Sequence, residues 1–246
     1  MNKYIGVLGG LGYKATLLAY QKLNQLYHAK KGKAHTCPIR MLSIDFDEID
    51  SLLPNRHQEV AQLLQAPIEE VDSYDTVCTL MFNNTLHQSF DVLAPNLNLQ
   101  KPFGHIGTLL NKALAKKQIK KAVLVGTKYT MNAGYIASFI PTHTQLILPS
   151  ESLQDKLEQL RKVYYHDKDE VLAQTCFEEL KMIGADTIIL ACTEHSIAFA
   201  DFPKTYFMDT MDLQCAFGMD LLTETHLAPK YQNTLKKKEQ IDVFLK

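Results

Sequence analysis

The sequence lacks the features that would tie it to nucleic acid, a membrane or an oxidising compartment. Its 26 Lys and Arg against 27 Asp and Glu leave a formal net charge of −1, which gives no electrostatic case for nucleic acid or an anionic bilayer as partner. The densest basic run, Lys236-Lys237-Lys238, is followed at once by Glu239 and reads as a solvated tail. No apolar run approaches the ~18 residues needed to span a bilayer. An apolar stretch begins at Tyr4, which leaves no room for a signal peptide. The five cysteines (Cys37, Cys78, Cys176, Cys192, Cys215) form no C-x-x-C, which argues against a disulfide framework or a zinc ribbon and fits a reducing compartment. There is no H-E-x-x-H and no compact Cys/His set with ligand spacing. The expectation is a cytosolic protein with no metal site, no membrane segment and no nucleic-acid partner.

What is present is a repeated alternation. With 246 residues, 46% of them hydrophobic, the chain is long enough for one large domain or two modest ones. Strands are expected at Tyr4 to Leu8, Pro38 to Ile44, Thr76 to Phe82, Lys121 to Val125, around Leu146 to Leu148, at Thr187 to Ala191 and at Tyr206 to Met208. Segments of helical spacing separate them: Ala15 to Tyr27, Glu59 to Val71, Leu86 to Leu93, Thr108 to Lys117, Leu153 to Tyr165, Glu170 to Ile183 and Asp212 to Thr223. This pattern implies parallel sheets covered on both faces. It predicts an α/β protein of two similar three-layer domains whose parallel sheets face each other across a cleft. The first domain takes residues 1–100 plus 210–246, and the second takes 101–209.

In such sheets ligands sit beyond the C-terminal strand ends. Four polar clusters fall there: Gly9-Gly10, Asn83-Asn84-Thr85, Gly126-Thr127 and Cys192-Thr193-Glu194. Two of them form a pair, because Phe82-Asn83-Asn84-Thr85-Leu86-His87 and Leu190-Ala191-Cys192-Thr193-Glu194-His195 each end an apolar run that opens with Asp-Thr. Gly10-Leu11-Gly12-Tyr13-Lys14-Ala15 fits a loose G-x-G-x-x-A, but the first acidic residue after it is Asp45, so no ribose-binding carboxylate stands at dinucleotide spacing. The glycines read as a tight strand-to-helix turn whose free N–H groups suit a carboxylate. Cys192 stands apart from the other cysteines because it lies at a strand end just before a helix, where thiolate is favoured. Cys78 and Cys176 read as packing residues. Glu194 suits a first helical turn through the helix dipole alone, and His87 and His195 are candidates for a proton relay.

Together these motifs resemble the aspartate/glutamate racemase family. The residues that carry the resemblance are Val7-Leu8-Gly9-Gly10-Leu11-Gly12 with Ala15-Thr16, Asn84-Thr85 with His87, Cys192-Thr193-Glu194, and Leu124-Val125-Gly126-Thr127-Lys128-Tyr129-Thr130-Met131. The last is similar to the broad-specificity enterobacterial branch. The resemblance implies interconversion of L- and D-amino acids without pyridoxal phosphate or any other cofactor, and a homodimer. Two cysteines would flank the substrate Cα, one removing the α-proton and the other returning a proton to the opposite face. It assigns Cys192 as one acid/base. It makes Gly10, Leu11, Gly12, Asn84, Thr85, Thr127, Lys162, Thr193 and Glu194 substrate-binding residues.

The departure is Asn83, which stands where the family places its first cysteine and lacks an accessible proton-transfer pKa. Three outcomes follow: one-sided racemisation with water or His87 on the second face, another reaction of Cys192 on a small carboxylate, or an amino-acid-binding protein without racemase activity. The acidic stretch Asp45-Phe46-Asp47-Glu48-Ile49-Asp50 either lines the cleft, where its charge would disfavour a dicarboxylic substrate, or is a solvated surface loop.

Overall fold

A computed structural model of the chain describes residues 3–166 and 168–223; the Lys236-Lys237-Lys238 run lies outside the described residues. The elements follow in the order β1 (Ile5–Gly9), α1 (Tyr13–Lys31), β2 (Ile39–Ser43), α2 (Asp47–Asp50), α3 (His57–Ser73), β3 (Thr79–Met81) and α4 (Leu86–Leu93). They continue with α5 (Ile106–Lys116), β4 (Lys121–Val125), α6 (Lys128–Asn132), β5 (Gln145–Ile147), α7 (Glu151–His166) and α8 (Glu170–Met182). The last are β6 (Thr187–Leu190), α9 (Thr193–Ala198), β7 (Phe207–Asp209) and α10 (Thr210–Thr223).

The strands form two parallel sheets, ordered β2-β1-β3 and β5-β4-β6-β7. In each, the first strand in sequence is flanked by the second and the third, so the halves share a winding order and β7 adds an edge to the second. That order puts a topological switch point beside the C-terminal end of the first strand in each half, which is where open α/β sheets bind ligands.

The layering follows from side-chain alternation along the buried strands. In β1, Ile5 and Val7 join a core with Ala15, Ala19 and Leu23 of α1, while Leu8 joins Val60, Leu64, Ile68 and Val71 of α3 on the opposite face. The α3 residues recur at i, i+4, i+8 and i+11, so one stripe of the helix is apolar. Burial of a leucine such as Leu64 contributes about 1.5–3 kcal/mol. A second core unites β4 and β6 with α7 and α8 through Val123, Ile189, Leu157, Leu160 and Phe177. Helix α10 leaves β7 in the second sheet and returns to the first, where Met211, Cys215 and Met219 pack with Ile5 and Val7.

The structure departs from the sequence expectation at β3, α2 and α6. The expected strand Thr76 to Phe82 shortens to β3, because Val77 N–H bonds outside the ladder to Tyr4 O at 2.7 Å. The segments Asp47–Asp50 and Lys128–Asn132 are short helices, too brief to show a period in sequence.

Candidate active site

Asn83 and Cys192 each stand two residues beyond the last residue of their strand, β3 and β6 respectively. The two Asp-Thr runs are offset in sequence, but the strand ends are equivalent. Both residues border one cavity of about 760 Å³ between the halves. Leu11 and Gly12 reach it from the β1–α1 turn, Asn84 and Thr85 from the β3–α4 turn, and Thr127 from the β4–α6 turn. Cys192, Thr193 and Glu194 close it from the β6–α9 turn. Four helices therefore begin at its wall, with their N–H groups and positive dipole ends nearby, an arrangement that favours a bound anion.

Cys192 is the N-cap residue of α9, with extended backbone (φ −152°, ψ 131°). Its thiol donates to Glu194 Oε2 at 2.9 Å, and Thr193 Oγ1 donates to the same oxygen at 3.2 Å. Burial first, and the Glu194 carboxylate second, push the thiol well above its ordinary value, against the opposing pull of the Glu194 N–H and the Arg161 cation. The group is therefore a neutral thiol already hydrogen-bonded to a carboxylate.

Asn83 is held at both ends of its amide. Its Nδ2 donates to Leu11 O at 3.0 Å, and its Oδ1 accepts from Leu86 N at 3.3 Å at the start of α4. Asn84 Oδ1 accepts from Thr210 Oγ1 at 3.0 Å, which ties the β3–α4 turn to the start of α10. Thr127 caps α6 by accepting from Thr130 N at 2.9 Å. Lys162 borders the cavity but is 68% exposed, 4.0 Å from Glu158.

Three expected site residues lie elsewhere. Gly10 does not border the cavity: its N–H donates to Thr16 Oγ1 at 3.0 Å, so its amide is not free for a ligand. With φ +83° and a hypothetical Cβ only 2.0 Å from Ile44 O, this position requires glycine for the turn itself. His87 and His195 are fully buried. Their Nε2 atoms donate to Met81 O at 3.0 Å and Leu157 O at 2.9 Å. Burial lowers both, His87 to about 3. Neither borders the cavity, so neither can pass a proton to a ligand there directly.

The acidic stretch does reach the cleft, through Phe46 and Asp50, followed by Leu53 and Pro54. Its charge does not set the sign of the site. Asp50, Glu158 and Glu194 are matched in the lining by Lys128, Arg161 and Lys162. Arg161 is the cation that sequence reading passed over in favour of its neighbour. Its Nη2 and Nε bind Glu158 Oε1 at 2.6 and 3.2 Å, and Cys192 and Glu194 both act on its charge. The available signal was helical: Glu158, Arg161 and Lys162 stand at i, i+3 and i+4 of α7 and share one face.

A second missed group crosses the cleft. Tyr129, on α6, borders the cavity, and its hydroxyl donates to Gln88 Oε1 at 3.0 Å. The Tyr129 hydroxyl oxygen also lies 2.9 Å from His57 Nε2, and His57 Nδ1 lies 2.8 Å from Ser89 Oγ. Burial lowers His57 from its ordinary value, so its ring is neutral near pH 7. Among the described residues, no three His, Cys, Asp or Glu side chains form a metal-binding group, and no helix is long and apolar enough to cross a membrane.

Comparison with known proteins agrees with this architecture. A protein from Yersinia pestis named provisionally as an Asp/Glu racemase superposes with TM-score 0.76 and 23% identity over 90% of this chain and 100% of its own. An aspartate racemase homologue from Pyrococcus horikoshii gives 0.71 and 21% over 91% and 100%. The aspartate racemase of Picrophilus torridus gives 0.71 and 18% over 89% and 94%. These likenesses show the two-domain α/β fold. The sequence model of one family, described as Asp/Glu/Hydantoin racemase, matches residues 8–216, and the chain therefore belongs to that family.

Proposed function

We propose that the chain is a cofactor-independent amino-acid racemase in which Cys192 exchanges the α-proton of its substrate. The observation that carries this reading is the thiol-to-carboxylate bond at 2.9 Å inside the cleft. Glu194 accepts the thiol proton, and the thiolate then removes the α-hydrogen from the face it meets. The substrate carboxylate is held by the backbone at Leu11 and Gly12, by Asn84, Thr85 and Thr127, and by Thr193 at the start of α9. These donors stabilise the charge that spreads from Cα into the carboxylate as the C–H bond breaks. Lys162 and Arg161 supply positive charge at the side-chain end of the cleft. Because Asn83 is no acid or base, the two faces are served unequally.

A second reading is a racemase-like amino-acid-binding protein. The bonds from Asn83 to Leu11 O and Leu86 N favour it, since they make this residue part of the scaffold. One experiment separates the two. The protein is incubated with individual L- and D-amino acids in D2O, and the α-proton signal is followed by NMR. Loss of that signal for at least one amino acid, abolished by Cys192→Ser, supports the enzyme. Saturable binding with no exchange for any amino acid sinks it.

The return of α10 to the first sheet supports assigning 210–223 to the first domain together with 1–100, with 101–209 as the second. An exposed apolar stripe on α1, Tyr13, Leu17 and Tyr20, spaced i, i+4 and i+7, supports a homodimer through that helix. Leu17→Glu together with Tyr20→Glu should halve the mass measured by light scattering.

A further inference from the structure

We propose that Tyr129 is the acid/base that serves the substrate face opposite Cys192, and that His57 returns its proton. The inference rests on the racemase reading and addresses what that reading leaves open. Asn83 cannot move a proton, and His87 is sealed in the core.

Tyr129 belongs by sequence to the half that carries Cys192, yet its hydroxyl does not stay there. It binds Gln88 of α4 and His57 of α3, and α4 is the helix that Asn83 starts by accepting from Leu86 N. The phenolic oxygen is thus bound to α3 and α4 of the half that carries Asn83, while Tyr129 itself borders the cavity. From Tyr129 a continuous path leads through His57 to Ser89 Oγ. Imidazole can accept a proton at one nitrogen while releasing one from the other, and a phenol can act as general acid in this setting.

The step balances. As the Cys192 thiolate takes hydrogen from one face of Cα, the electron pair left on carbon takes the Tyr129 hydroxyl proton at the other face. The new C–H bond forms as the O–H bond breaks. His57 N–H then reprotonates the phenolate and recovers a proton from solvent, since the residue is only half-buried. Cys192 keeps the hydrogen it removed, and Glu194 releases to solvent the proton it had taken from the thiol. In the reverse direction each group takes the other's role, and no oxidant or reductant is needed.

The test is Tyr129→Phe, which keeps the ring in the wall and removes the proton. Inversion and α-hydrogen exchange are measured together in D2O, by chiral chromatography and by NMR, starting from each enantiomer. Wild type should invert both. Tyr129→Phe should lose at least about tenfold in inversion while still exchanging one enantiomer, with retention, at a rate within about threefold of wild type. His57→Gln, whose amide can still hold the hydroxyl but cannot cycle a proton, should change the ratio of inversion to exchange in the same direction. A purely architectural Tyr129 would lower both rates together and leave their ratio unchanged, which overturns the proposal and leaves the racemase reading standing. No exchange in wild type or variants removes both.

Discussion

The Cys192 thiol and the Glu194 carboxylate, two residues apart in sequence, share a hydrogen bond of 2.9 Å across the first turn of α9. The turn geometry explains it. An N-cap residue has extended backbone and points its side chain back over the first helical N–H groups, and a carboxylate there is favoured by the helix dipole. A thiol and a carboxylate able to accept its proton are thus assembled within three residues, independently of the rest of the cleft.

Glu194→Gln tests that coupling. The amide keeps size and hydrogen-bonding capacity but cannot accept the thiol proton, so α-hydrogen exchange should fall by about 10²-fold near pH 7. Removing the negative charge also removes one of the causes that hold the thiol up. The exchange rate of the variant should therefore begin its alkaline rise at lower pH than wild type. The measurement is the exchange rate of the reactive enantiomer between pH 6 and 10. An unchanged rate at pH 7 would mean that Glu194 only decorates the helix start.

Asn83→Cys restores the thiol that the family pattern expects. It should raise inversion relative to one-sided exchange, since both faces then meet a sulfur acid/base. It should also lower stability. The bonds to Leu11 O and Leu86 N are lost, at a cost of about 0.5–1.5 kcal/mol each. Chiral chromatography and urea unfolding read the two effects separately. Undiminished stability would show that the Asn83 amide is not a scaffold bond.

The parts of this protein that were legible in its sequence are those set by local period. Strands β1, β4 and β6 were visible because their cores are buried on both faces and therefore read as apolar runs, as in Ala122-Val123-Leu124-Val125. Cys192 was legible because the strand ends and the helix begins around it. The relay histidines were misread because position along the chain is not direction. His195 stands three residues beyond Cys192, close to a full helical turn, yet its ring lies against Leu157 O in the core. His87 does the same toward Met81 O. The contact between Tyr129 and His57 was not legible, since it joins residues 72 positions apart; Tyr129 stood in the Leu124 to Met131 motif with no role of its own, and His57 lies in none.

The buried ion pair between Lys22 of α1 and Asp209 of β7 joins the two halves beneath the site. Asp209 Oδ2 lies 3.2 Å from Lys22 Nζ, and its Oδ1 accepts from Ser196 Oγ and Met211 N, each at 2.9 Å. Ser196 is on α9, so the pair braces the helix that Cys192 caps. Lys22 also bonds Asp212, whose side chain is 48% exposed against 5% for Asp209. The two partners therefore differ in what each can do when left alone. Lys22→Met strands a carboxylate that cannot rehydrate and should cost about 3 kcal/mol. Asp209→Asn leaves a lysine that retains Asp212 and some water, and should cost about half as much. Urea midpoints of the two variants decide it; equal losses would mean that the pair is not effectively buried.

His87 sets a limit on acid stability. Burial, with His105 adding to it, lowers His87 from the ordinary histidine value to about 3. In the unfolded chain it titrates near 6.5. Between these values the unfolded state binds a proton that the native state refuses, so the contribution is complete above pH ~6.5 and is lost as pH falls toward about 3. The upper bound on the slope is about 1.4 kcal/mol per pH unit below ~6. His195, also lowered by burial, acts in the same direction. His87→Phe should flatten this acid limb. The new ring would sit among Phe103 and His105, whose centroids lie 5.6 and 4.9 Å from that of His87. Met81 O would keep a partner in Gln214 Nε2 at 3.0 Å, so the substitution orphans no carbonyl. Urea unfolding at pH 7.5, 6, 5 and 4 gives the two slopes, and an identical acid limb in wild type and variant would place the proton uptake elsewhere.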